Sequence, residues 1–274
     1  MNPPHTEQAS DATFTHVAIA VDQITDPWPL FASALGGQYL DRGLNDGFGW
    51  TQLRFANGFV VEGIHPEAGR DFLRKFLARS GPGPHHLTFN VADLDRTIAT
   101  LSAAGINPIE EDRHDPMWRE VFIHPSEAHG IVVQVAESHI GARRTQEPPE
   151  GFPDVAYDRP VASLGRVVHA VANLPGAVRL FGELLGGVVT SRGAAVDGNH
   201  WVELSWDGGG RLRLLEAAHG EAASWVGDRH GRLRHLYFSY DEPATVPGAV
   251  EVAEGRWVIE SACGTRIVLN STVH

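Results

Sequence analysis

The sequence predicts an α+β protein of two tandem domains, each a pair of βαβββ modules. Three repeats carry this reading. Phe59-Val60-Val61-Glu62-Gly63-Ile64 and Ile131-Val132-Val133-Gln134-Val135-Ala136 are short apolar runs with one strongly polar side chain at the same place. Upstream of each lies a second matched pair, His16-Val17-Ala18-Ile19-Ala20-Val21 and His86-Leu87-Thr88-Phe89-Asn90-Val91, and the two spacings nearly agree. Further along, Phe31-Ala32-Ser33-Ala34-Leu35-Gly36-Gly37 recurs as Phe181-Gly182-Glu183-Leu184-Leu185-Gly186-Gly187. The runs at 211–216 and 235–240 then echo those at 59–64 and 86–91. Internal periodicity of this kind defines four modules before any single element is assigned.

The elements follow in order. A strand is expected near 14–22. Asp26-Pro27 then supplies an N-cap and a proline at the first helical position, opening a helix that ends at Gly36-Gly37. Three strands are expected near 37–42, 50–56 and 58–64, the last two joined by a tight Asn57-Gly58 turn. An amphipathic helix near 69–79 leads through Gly81-Pro82-Gly83-Pro84 into the second module. That module has a strand at 86–91, a helix from Asp93 to about Ala104, and strands near 108–111, 119–124 and 130–136. Residues 138–163 carry prolines and mixed charge without periodicity and read as a linker, dividing the chain into domains at 14–137 and 164–274. The third module repeats the pattern with a strand at 166–172 and a helix at 175–185. In the fourth, Pro243 and Pro247 oppose a helix, and none is expected.

Composition narrows the function. The net charge is −12 with no basic block, which argues against nucleic acid as a partner. No run of about eighteen apolar residues suggests a membrane span. The N-terminal residues lack the basic and apolar regions of a secretory signal, and Cys263 is the only cysteine, so a cytoplasmic protein without an internal disulfide is expected. A homodimer stays an open alternative. The expected partner is a small-molecule substrate with adjacent oxygen ligands.

A carboxylate inside an apolar strand needs a partner, because burying it alone is costly. For Glu62 a divalent cation is a good candidate. His16 and His86 begin the paired apolar strands, and two imidazoles with one carboxylate and one amide oxygen suit Zn, Co, Ni, Mn or Fe(II). One metal per chain is expected. The bland alternatives are satisfied core histidines and an amide bonded to backbone.

A βαβββ module with a His on its first strand and Glu or Gln on its fourth resembles the vicinal oxygen chelate superfamily, which includes glyoxalase I, methylmalonyl-CoA epimerase and the extradiol dioxygenases. The resemblance implies that paired modules curl into a cup-shaped mixed sheet holding the metal in its concavity. Over residues 14–137 the chain looks most like the methylmalonyl-CoA epimerase family. The stretches that carry this are Thr15-His16, Glu62-Gly63-Ile64-His65-Pro66, Gly83-Pro84-His85-His86 and Phe122-Ile123-His124-Pro125 running on to Gln134. Carried over, the metal ligands are His16, Glu62, His86 and Gln134. His85 and His65 fall behind them or at the surface. Asp46 lies near where the family places an acidic second base, although a loop Asp before Gly47 is more often a turn residue.

The chain departs from that family at Gln134, where a Glu is typical, while Glu62 supplies the acid from the other module. The second domain departs further: Arg166, Arg213 and Val268 stand at three of the four ligand positions and only His235 matches, so that half is expected to be metal-free. Arg213 there would pair internally or take an anion. The implied activity is metal-dependent isomerase or epimerase chemistry, proton transfer beside a carbonyl through a metal-stabilised enediolate, with Glu62 or Asp46 moving the proton. A glyoxalase-type lyase, an Fe(II) dioxygenase and a non-catalytic drug-sequestering protein are the alternatives.

Overall fold

The computed structural model describes residues 11–138, 147–153 and 160–272. Sixteen strands form two eight-stranded mixed sheets with the same internal order. The first contains β1 (Thr13–Ala20), β2 (Gln38–Asn45), β3 (Phe48–Arg54), β4 (Val60–Pro66), β5 (Gly83–Asn90), β6 (Ile109–Asp115), β7 (Trp118–Ile123) and β8 (Val132–Ser138). Their order across the sheet is β2-β3-β4-β1-β5-β8-β7-β6. The second sheet repeats it with β9 (Ser163–Val171), β10 (Val188–Ala194), β11 (His200–Ser205), β12 (Arg211–Glu216), β13 (Gly231–Tyr240), β14 (Val250–Ala253), β15 (Arg256–Ala262) and β16 (Thr265–Ser271).

In each sheet the first strand of a module lies parallel to its fourth, and the two first strands meet antiparallel at the centre. A pseudo-twofold axis therefore passes between β1 and β5. Side chains alternate across the pleat, so every strand sends one set to each face. Phe14, Val17, Ile19, Leu87, Phe89, Val133 and Val135 point into a core that is continuous with Leu212, Leu214, Leu236, Phe238 and Ile267 of the second sheet. Phe14 sits at the junction, its ring 4.8 Å from Phe59, 4.9 Å from Phe89 and 5.5 Å from Trp206. His16, Ala18, Ala20, Glu62 and Ile64 face the other way. There α1 (Phe72–Ser80) covers one end, through Leu73 against Ala18, Ala20 and Ile64.

The helices show where local signals worked. Asp93 caps α2 (Leu94–Ala103), its carboxylate accepting from Arg96 N at 2.9 Å. The first helix behaves differently from expectation. It spans Trp28–Ala34 and is wound as a π-helix, with Leu35 N donating to Leu30 O at 2.9 Å. Asp26 accepts from Gln23 N rather than from a helix amide. The equivalent segment of the third module starts as α3 (Leu174–Val178) and is likewise π-wound over Arg179–Leu184. The linker between β8 and β9 falls partly on residues 139–146 and 154–159, outside the described residues. Within it Phe152 packs on Trp28 and Tyr39. The fourth module has only a 3-10 turn at Pro243–Thr245 where a helix would stand, as its prolines require. A short helix, α4 (Gly220–Val226), was not foreseen and takes the place of α1 in the second half. No helix among the described residues is long and apolar enough to cross a membrane.

Candidate metal centre

The strand register places the candidate ligands in two rows. Ala18 of β1 pairs with Glu62 on one side and His86 on the other, so Glu62, Ala18 and His86 form one row. His16 pairs with Thr88, and Thr88 with Gln134, giving the second row. A register shift between Phe14 and His16 releases Thr15 from the ladder, so that Thr15 and His16 both line the cavity. Bulges commonly re-aim side chains in this way beside functional sites. Because Ala18 ends at its β-carbon, space stays open between Glu62 and His86.

His16, Glu62 and His86 converge in that space. One ligand atom from each lies within 4.8 Å of the others, and all three residues are buried. His16 Nε2 is 3.8 Å and His86 Nε2 3.7 Å from the Glu62 carboxylate, too far for hydrogen bonds. Such separations are the scale at which two donors with bonds of about 2.1 Å share one ion. His86 Nε2 is buried and has no hydrogen-bond partner. That orphaned atom, beside a carboxylate and a second imidazole nitrogen, fits a divalent cation.

The surrounding hydrogen bonds set up the imidazoles for this. The Thr15 hydroxyl donates to Thr88 O at 3.2 Å, so toward His16 Nδ1, also at 3.2 Å, it can only accept. His16 therefore carries its proton on Nδ1 and leaves the Nε2 lone pair facing Glu62. His86 Nδ1 meets His85 Nδ1 at 2.9 Å, and a proton on His86 Nδ1 frees its Nε2 in the same manner. His85 is held in turn against the ring of Phe76. Burial pushes His16 down to about 3 and holds His86 well below the ordinary imidazole value, with His85 and His16 opposing its protonation further. Both rings are neutral at pH 7, the form that binds metal. Burial also pushes Glu62 up to about 7. The hydrogen bond from Gln52 Nε2, 2.7 Å from Glu62 Oε2, works against that rise.

Gln134 occupies the symmetry-related place but is differently engaged. Its Oε1 accepts from the Thr88 hydroxyl at 2.6 Å and its Nε2 donates to Glu120 Oε2 at 2.6 Å. Where the first module has Ala18, the second has Thr88, and that hydroxyl bonds the amide oxygen expected to face a metal. Asp46 lines the same cavity but is not among the clustered ligands. It sits in the β2–β3 turn with its side chain 64% exposed, accepts from Arg70 N at 3.3 Å and pairs with Arg70 Nε at 3.3 Å. The structure thus engages Asp46 with Arg70 and does not bring it to the triad. His65 is buried and bonds Glu67 at 3.1 Å, away from the ligands.

Two polar residues escaped the sequence reading. Gln52 lies directly across from Glu62 in the β3–β4 ladder. Glu120 lies on β7 between Trp118 and Phe122, and all three line the cavity. Burial raises its carboxyl above the usual range, against hydrogen bonds from Trp118 Nε1 and Gln134. The period-two rule applied to the strand expected near 119–124 would have put Glu120 on the same face as Trp118 and Phe122. The cavity has a volume near 1800 Å³ and takes in part of the second half, around Trp225 and Arg232.

In the second sheet the same register positions hold other chemistry. Arg213, Val168 and His235 form one row and Arg166, Tyr237 and Val268 the other. Arg166 Nη1 and Arg213 Nη2 both reach Glu203 Oε2, at 2.7 and 2.8 Å. Arg213 has paired internally, and no His/Cys/Asp/Glu cluster for a metal occurs in this half among the described residues.

This architecture is the vicinal oxygen chelate fold. Residues 15–122, which include His16, Glu62 and His86, match the model of the glyoxalase/bleomycin resistance protein/dioxygenase superfamily. Among solved structures, a triple mutant of 4-hydroxymandelate synthase from Streptomyces coelicolor aligns over 97% of this chain and 95% of its own, with a TM-score of 0.64 at 14% identity. A hypothetical protein from Staphylococcus aureus aligns over 95% and 99%, with a TM-score of 0.59 at 12% identity. Both show the fold across the two halves. Methylmalonyl-CoA epimerase from Mycobacterium tuberculosis aligns over 50% of this chain and 95% of its own, at 24% identity and a TM-score of 0.44. No curated protein matches the chain.

Proposed function

We propose that the first half is a metal-dependent isomerase that moves a proton at a carbon next to a carbonyl. The observation that carries this reading is the convergence of His16, Glu62 and His86, with neutral imidazoles and an orphaned His86 Nε2, at the wall of a large cavity. These three residues would hold one divalent cation, with Gln134 as the fourth ligand if its amide oxygen leaves Thr88. Such a cation supplies Lewis acidity, polarising the substrate carbonyl and sharing the charge that develops when the adjacent carbon loses its proton.

The rest belongs to the chain. Glu62 is the nearest carboxylate and takes the proton on the oxygen that Gln52 does not hold. Glu120 is a second buried carboxyl in the same cavity, held by Trp118 and Gln134, and replaces Asp46 as the group that returns a proton. Burial raises its carboxyl above the ordinary carboxylate range, the direction that favours holding a proton to give back. Trp50, Trp118 and Phe122 enclose the substrate and exclude water.

A second reading rests on one specific observation. Because Thr88 engages the Gln134 oxygen, the triad stands as two histidines and one carboxylate, a donor set also associated with Fe(II) oxygenases. One experiment separates the two. Metal-loaded full-length protein in deuterium oxide is incubated with 2-substituted acyl thioesters, 2-oxo acids and hemithioacetals, and NMR follows the proton beside the carbonyl. Exchange that depends on metal and on Glu62 supports the isomerase. Absent exchange, with oxygen consumed from a catechol or 2-oxo acid by the iron-loaded protein, replaces it with the oxygenase.

A further inference from the structure

The two sheets carry opposite charge at equivalent positions. In the first, two neutral imidazoles face Glu62, with Glu120 close by, and the cluster asks for a cation. In the second, Arg166 stands at the His16 position and Arg213 at the Glu62 position. Between them lies a single buried carboxylate, Glu203, at the place of Gln52. Two guanidiniums on one carboxylate oxygen leave one positive charge uncompensated. Arg234 and Arg266 add two more guanidiniums close enough to oppose protonation of His235, together with Arg166 and Arg213. Their acid partners, Glu221 and Glu260, are 73% and 75% exposed and are therefore screened by solvent.

The guanidiniums are held rigidly yet remain reachable. Arg213 lies over the Trp201 ring at 4.0 Å and Arg166 over Tyr237 at 4.6 Å, and their side chains keep 27% and 24% of their exposure. Within the rows Val168 stands between Arg213 and His235, and Val268 ends the row that Arg166 begins, so both are nearly buried apolar neighbours on the side of the sheet that carries the guanidiniums. His235 Nδ1 is buried without a partner. Burial lowers the Arg213 guanidinium first and the neighbouring Arg166 adds to that, against the pull of Glu203.

We infer that this face of the second sheet binds a small organic carboxylate, its oxygens on the Arg166 and Arg213 guanidiniums and its short apolar body over Val168 and Val268. Guanidinium forks bind carboxylates through paired, charge-assisted hydrogen bonds, and an apolar bed beside them selects organic carboxylates over hydrated inorganic anions. The site is independent of the metal centre and of the reaction proposed for it.

The test is calorimetric titration of the full-length protein with propionate at low ionic strength, with chloride as the control ion. One saturable site per chain is expected, unchanged when His16 and His86 are both replaced by Ala. Arg213→Met should weaken it about tenfold or more, the scale of one charge-assisted pair. Arg166→Lys, which keeps the charge but loses the fork, should weaken it less and covers the case where Arg213→Met does not fold. Glu203→Gln removes the competing carboxylate and should tighten binding. Absence of saturable propionate binding in both the native protein and Glu203→Gln overturns the proposal. So does binding that survives Arg213→Met and Arg166→Lys unchanged, or is lost with the two histidines.

Discussion

Glu62→Gln separates the carboxylate's cost from its use. Without metal, Glu62 is a buried acid whose ionisation is opposed by burial, raising it from 4.5 to about 7. A group that binds its proton more tightly in the folded state stabilises that state fully below its unfolded value, and the stability is lost as pH rises through the folded value. The window here runs from about 4.5 to about 7. Above it the metal-free protein carries a penalty on the order of 3 kcal/mol. Gln is nearly isosteric, keeps an acceptor for Gln52 and carries no charge. At pH 8 in chelator, Glu62→Gln should therefore be more stable than the native protein, by about 1–3 kcal/mol once relaxation is allowed for. For a chain of this size that is several degrees of melting temperature.

Divalent metal should reverse the order. The native protein gains the full binding free energy because the cation is the missing partner of Glu62, whereas the variant offers two imidazoles and neutral oxygens. Thermal melts at pH 8 with chelator, then with Zn, Co, Mn or Fe(II), measure both effects. A metal-free variant less stable than the native protein would show that Glu62 is already compensated. An equal metal-induced shift in both proteins would remove Glu62 from the ligand set. Below pH 6.5 the buried histidines act in the opposite sense. With His16 down to about 3 and His85 to about 4, the stability they hold above 6.5 is lost as pH falls toward those values. Glu62→Gln removes the opposing contribution and should steepen acid unfolding.

Three further outcomes follow from the structure. His16→Ala or His86→Ala should abolish stoichiometric metal measured by elemental analysis of the full chain, while Arg213→Met should leave it at one per chain. Phe14→Ala, which empties the contact of Phe59, Phe89 and Trp206, should cost about 3–5 kcal/mol. Because the core is continuous, near-ultraviolet dichroism and tryptophan fluorescence should report one coincident transition for both halves. Two separated transitions would mean that the halves unfold independently.

Repetition made the fold readable. His16 and His86, Glu62 and Gln134, and the two Phe-to-Gly-Gly segments give the module count and the order of elements along the chain, whereas the curled sheet was implied only by the family resemblance. The triad was legible for the same reason: a polar residue in an otherwise apolar strand is conspicuous. What escaped lies in pairings across strands. Glu120 sits among aromatic and charged residues of β7, where a carboxylate looks ordinary, and only its reach to Gln134 Nε2 sets it apart. Asp46 looked placed for chemistry by the family resemblance, yet in the turn at Gly47 it bonds Arg70. The π-winding of Trp28–Ala34 has no sequence signal comparable to a cap.

These cross-strand pairs also explain why acid and amide sit on the sides they do. Each strand-four residue is matched to a neighbour of complementary character: Glu62 to Gln52, Gln134 to Glu120, and in the second half Arg213 to Glu203. An acid at 134 would meet Glu120 where Gln134 Nε2 now donates at 2.6 Å, so one carboxyl would have to hold a proton or turn away. The amide at 134 is therefore tied to the acid at 120, just as the acid at 62 is tied to the amide at 52. Gln134→Glu alone should destabilise the metal-free protein by about 1–3 kcal/mol, the cost of a lost hydrogen bond and an added buried charge. Glu120→Gln alone leaves two amides facing each other and should cost less. Both together restore an acid–amide pair with its direction reversed, so the double variant should recover most of the loss. A double-mutant cycle of thermal melts in chelator reads the coupling directly. Additive effects, with no coupling beyond about 0.5 kcal/mol, would mean that the pair does not decide which module carries the acid.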